Sequence, residues 1–210
     1  MEEKEIKDEL ASIRSLMERS SKFISLSGLS GILAGVYALI GAAAAYYLLT
    51  SNTVREYPYH GYYSFGHLFN SLVGQLLIIA VLVFAASVTS GIILTNRKAR
   101  RKGQAIWGST SKALLFNMAT PLVAGALLLF IFIVHGYYGI VGPSSLVFYG
   151  LALVGAGNFT FTLVKYLGLC EIAIGLIAAC LPGYGLLFWA IGFGVLHIVY
   201  GSMMYFKYDR

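Results

Sequence analysis

Hydrophobic residues fall along this chain in long runs broken by short polar connections. The runs cover Phe23 to Leu49, Leu68 to Thr95, Ala113 to Tyr137, Ser145 to Val164, Leu167 to Leu181 and Leu186 to Phe206. A helix rises ~1.5 Å per residue, so about 20 apolar residues cross a ~30 Å hydrocarbon core. Five runs meet that length and the shorter fifth one, Leu167 to Leu181, makes the count even. The pattern predicts an all-α, integral membrane six-helix bundle over residues 23–210, in contact with the lipid bilayer.

Residues 1–22 read differently. Ile6, Leu10, Ile13 and Met17 recur at spacings of 4, 3 and 4, which lays one apolar stripe along a helix. Glu3–Lys7, Lys4–Asp8, Arg14–Glu18 and Glu18–Lys22 add i,i+4 pairs of opposite charge. The segment is expected as an amphipathic helix on the inner membrane surface, with a dimer seam as the other use of the same stripe. Its mixed charge is unlike the basic start of a cleavable signal peptide.

Charge sets the orientation. With the N-terminus cytoplasmic, every Lys and Arg except Arg55 falls on the inner side, as the positive-inside rule requires. Both termini are then cytoplasmic. The net charge of +6 is therefore explained by membrane boundaries, and nucleic acid is excluded as a partner. With 58% hydrophobic and 11% charged residues, the chain cannot cover a water-soluble domain. The outer connections carry Tyr57, Tyr59, Tyr62, Tyr63, Tyr137 and Tyr138, most of them expected as belt residues at the lipid headgroups.

Candidate chemistry is sought by depth. Ser27 and Ser30 lie ~8 and ~12 Å above Lys22, and Asn117 ~8 Å above Lys112. Asn158 lies ~10 Å and Glu171 ~9 Å above Lys165, and His197 ~15 Å above Lys207. Glu171 is the single acid within a span, and acids in hydrocarbon face the bundle interior or a wet cavity. His197 is its expected partner, with Lys165 as competitor. The working expectation is one polar ligand site in the inner half of the bundle, formed by Glu171, His197, Asn117, Asn158, Ser27 and Ser30. Pro121 removes the helical partner of the Asn117 carbonyl, adding a free acceptor to that layer.

Other features carry less. Cys170 and Cys180, ten residues apart on one helix, cannot bridge each other within a subunit and are expected as small buried residues. His60, His67 and His135 match no metal-ligand spacing, so no metal or other cofactor is implied. Repeats of small residues, Ser27-Gly31-Gly35, Ala34-Ala38-Ala42 and Gly175-Ala179-Gly183, suit close helix packing. Ser27 and Ser30 with His197 resemble the serine–histidine pair of rhomboid proteases, but the helix order and flanking residues depart from that family. No phosphate loop, HExxH pair or GxSxG elbow is present, and no catalytic residue is assigned.

The stretch SSKFISLSGLSGILAGVYALIGA, Ser20 to Ala42, is similar to the start of small multi-pass membrane proteins of Bacteroidetes-type bacteria. That resemblance implies a bacterial cytoplasmic membrane and no activity. The expected function is a binding or permeation module for a small solute or ion, in a homo-oligomer. The alternatives are a sensory or interaction subunit contacting a cytoplasmic partner, and an intramembrane enzyme.

Overall fold

The computed structural model describes residues 27–51, 71–101 and 108–209. The amphipathic segment 1–22, the first outer connection with His60 and His67, and Lys102 lie outside them. Six helices long and apolar enough to cross a membrane account for nearly all of the described chain. They are α1 (Gly28–Ser51), α2 (Leu72–Arg101), α3 (Ser109–Val134), α4 (Tyr138–Gly157), α5 (Thr162–Ala179) and α6 (Gly185–Tyr208). No strand occurs among the described residues.

Chain neighbours pack antiparallel, except α2 and α3, which lie apart. Gly41 of α1 meets Ile79 and Val83 of α2, Gly125 of α3 meets Phe148 of α4, and Gly150 of α4 meets Gly168 of α5. The last helix closes the bundle by returning to the first: Gly28 abuts Gly201 and Tyr205, and Gly35 abuts Gly194. The start of α1 and the end of α6 therefore share one end of the bundle. The same small-residue logic that suggested packing in α1 explains these contacts, because only glycine lets two helix backbones approach so closely. At the opposite end, tight turns pass through Gly136 (φ 79°) and Gly183 (φ 95°), a left-handed conformation that suits glycine.

The packing order runs α2, α1, α6, then α5 and α4, then α3. The outer members α2 and α3 are exposed along most of their length, and their surface is apolar: Phe84 is 60%, Leu127 61% and Phe116 74% exposed. An apolar surface of that extent suits lipid and not water. Inside, Leu153, Ala156, Val164 and Leu167 form a buried cluster between α4 and α5, with Leu114, Met118, Leu196 and Tyr200 packed against it.

Two sequence expectations are corrected. The fourth span begins at Tyr138 and ends at Gly157, seven residues ahead of the expected window. Gly139, Gly142 and Pro143 read as loop, yet Pro143 lies inside the helix as its sixth residue and leaves the Gly139 carbonyl without its helical partner. Cys170 and Cys180 are exposed, not buried. They sit on the outward side of α5, while Leu167, Gly168, Glu171, Gly175 and Ala178 take the inward stripe.

Candidate functional site: a buried Glu–His–Tyr centre

Glu171 is placed by that inward stripe of α5. Its residue exposure is 0%, midway along the helix. A carboxylate in such a setting needs partners, since burying an uncompensated charge is costly. His197 of α6, 5% exposed, supplies the first: its Nδ1 stands 3.4 Å from Glu171 Oε1. The same nitrogen lies 3.1 Å from the Gly192 carbonyl oxygen, and Nε2 lies 2.8 Å from the Tyr149 hydroxyl of α4. Neither carboxyl oxygen of Glu171 accepts a hydrogen bond from a well-aligned donor.

These contacts fix the histidine's hydrogens. A carbonyl oxygen only accepts, so the bond to Gly192 requires Nδ1 to carry a proton. In the neutral ring Nε2 is then bare and accepts from the Tyr149 hydroxyl. The Nδ1–H is directed at Gly192 O, and Glu171 Oε1 lies 3.4 Å from the same nitrogen outside that bond. The ring is held laterally by aromatic neighbours, with Phe193 stacked on it at 6.1 Å and Tyr149 at 5.4 Å between centroids. Trp189 extends the cluster, 5.0 Å from Phe193.

The backbone of α6 makes this geometry possible. Residues Ala190–Leu196 form a π-helical segment between α-helical Gly185–Trp189 and His197–Met204. In an α-helix, residues five apart point about 140° away from each other. A π turn closes between residues five apart and brings them onto one face. Gly192 and His197 both face Glu171 for that reason. A Cβ at Gly192 would lie 2.5 Å from Glu171 Oε2 and 2.5 Å from Leu146 Cδ2, so the glycine is the space the carboxyl group occupies.

The remaining residues of the expected site are elsewhere. Asn117 is exposed on α3, and its amide donates to the Ala113 carbonyl of its own helix, 2.9 Å away. The carbonyl that Pro121 leaves without a helical partner faces Gly155, where an added Cβ would approach it to 3.2 Å. It serves packing between α3 and α4. Asn158 caps the end of α4 and is exposed. Ser27 and Ser30 lie at the start of α1, where the Ser30 hydroxyl donates to the Ser27 carbonyl at 2.6 Å. Both ring nitrogens of His197 are engaged by Tyr149 and Gly192, so no serine–histidine pair forms. Lys165, the competitor for Glu171, is exposed and lies along Gly157. His135 is exposed at the end of α3.

Of six expected residues the structure brings two together, Glu171 and His197. It adds Tyr149 and Gly192, which the sequence reading passed over. Tyr149 was masked by the number of tyrosines expected at headgroups, although its place twelve residues into a twenty-residue helix is too deep for that belt. Gly192 gave no signal, because an isolated π segment leaves no periodicity to read.

The fold and site together define a multi-pass membrane protein with a buried ionisable centre. No protein family, curated protein or solved structure matches the chain significantly.

Proposed function

We propose that the protein binds or passes a small ion or polar solute at the Glu171 centre. The observation that carries this reading is a fully buried carboxyl group with no hydrogen bond to either oxygen, aimed at a glycine that clears room for it. A purely structural acid in hydrocarbon would be expected to spend its oxygens on neighbouring donors. An acid left open, beside an imidazole and in the middle of a bundle, suits a site that exchanges something.

The setting is proposed from charge and resemblance. The end of the bundle with Gly28 and Tyr205 faces the cytoplasm of a bacterium, because the Arg97–Arg101 cluster, Lys112, Lys165 and Lys207 fall at that end. The exposed faces of α2 and α3 are where copies of the chain would associate.

A panel of monovalent and divalent cations, small polar solutes and protons (a pH series), screened by thermal stabilisation of the purified protein, tests the reading. At least one species should raise the melting temperature of the native protein and lose that effect in Glu171→Gln. A panel in which every response is identical in the two proteins would refute it.

A further inference from the structure

We propose that the species taken up at this centre is a proton, carried along Tyr149, His197 and Glu171; this rests on reading the centre as an ion-binding site. Three observations on the geometry lead there. Space is the first. An ideal Cβ on Gly192 would fall 2.5 Å from Glu171 Oε2 and 2.5 Å from Leu146 Cδ2, so the side of the carboxyl group that faces Gly192 has no room for even a methyl group. A metal cation with several oxygen ligands needs a wider cage than that. The second is continuity: Tyr149 hydroxyl to Nε2 at 2.8 Å, then Nδ1 to Oε1 at 3.4 Å, puts the imidazole between a donor and an acceptor. The third is the tautomer set by Gly192, which leaves Nε2 ready to accept and Nδ1 ready to give.

The transfer balances as follows. A proton arriving at the Tyr149 oxygen replaces the phenolic proton, which passes to His197 Nε2. The Nδ1 proton passes to Glu171 Oε1. Tyr149 ends unchanged, His197 ends neutral in its other tautomer, and the carboxylate ends as an acid. One proton has entered and one negative charge has been neutralised. The loaded state has a built-in route back. Its bare Nδ1 faces the Gly192 carbonyl at 3.1 Å, two acceptors opposed, which the returning proton relieves. The ionisable groups around the relay are Tyr149 on α4 and His197 and Tyr200 on α6. On α5 itself, Lys165 and Cys170 point outward.

The test uses the full chain in liposomes, followed by infrared difference spectroscopy as the pH is lowered stepwise over the range in which the protein stays folded. A buried carboxylic-acid C=O band should grow as pH falls, shift in D2O, vanish in Glu171→Gln and move in Glu171→Asp. Tyr149→Phe should keep the band and slow its appearance after a pH jump by about tenfold or more. Should Glu171→Gln not fold, the Glu171→Asp shift assigns the band alone. A band constant across the range, or never seen, overturns the proton relay. If the band is constant while a cation or solute still stabilises the protein through Glu171, the broader binding reading survives and the proton does not. If neither responds, both fall.

Discussion

Gly192 and Glu171 occupy one another's space: an ideal Cβ on the glycine would fall 2.5 Å from the carboxyl Oε2. The conflict is with a group that has little freedom, since Glu171 is wholly buried between α5 and α6. Gly192→Ala should therefore destabilise the protein by about 1–3 kcal/mol, the usual cost of overpacking. The methyl should cost less once the carboxyl is removed, leaving only the contact with Leu146 Cδ2. Thermal unfolding of Gly192→Ala, Glu171→Ala and the double variant checks this, the loss from Gly192→Ala being smaller in the Glu171→Ala background than in the native protein.

His197→Ala removes the nearest proton donor from Glu171 and the ring partner of Tyr149 in one step. Leaving the buried Tyr149 hydroxyl and Gly192 carbonyl without their partner, with the polar ring gone from beside the carboxyl group, costs about 1–3 kcal/mol. His197→Ala combined with Glu171→Gln should recover part of that loss. The melting temperatures of the two variants in detergent decide it, and equal losses would mean the pair is not coupled.

The tautomer is open to direct measurement. With 15N-labelled histidine, His197 should show a protonated Nδ1 and a hydrogen-bonded, bare Nε2 in the unloaded state. Tyr149→Phe should shift the Nε2 resonance and leave Nδ1 nearly in place, at a stability cost of about 1–3 kcal/mol for the partner lost. A reversed assignment of the two nitrogens would contradict the bond to Gly192.

Asn117 and Asn158 supply the contrast. Both are exposed, and Asn117 bonds only within its own helix. Asn117→Ala and Asn158→Ala should change stability by no more than about 0.5 kcal/mol, as surface substitutions do. They should also leave ligand responses at Glu171 unaltered, in the same thermal assay.

Cys170 and Cys180 report sidedness. Cys180 closes α5 beside the Pro182–Tyr184 turn, whereas Cys170 lies on its exposed mid-helix surface. If that turn faces outward, a membrane-impermeant maleimide added to intact cells should label Cys180 and spare Cys170. Labelling of Cys180 only after the membrane is opened would invert the proposed orientation.

Much of the architecture was legible in the chain. Apolar runs of membrane-spanning length are a local property, so six spans could be counted without knowing how they meet. Gly31 and Gly35 already marked the face of α1 that the last helix covers, because close backbone approach demands small side chains. Glu171 stood out because an acid among apolar residues has few places to go.

Depth along a helix was readable from the sequence, but rotation about the helix axis was not, and rotation decides which side chains meet. Asn117 and Glu171 were both placed within the membrane by counting residues, yet one turns outward and the other inward. The π segment of α6 sharpened that divide. It re-phases the helix so that Gly192 and His197 share a face, a change no 3.6-residue repeat announces. The tertiary structure alone could choose Tyr149 as the third member, since only packing of α4 on α6 brings its hydroxyl to the imidazole.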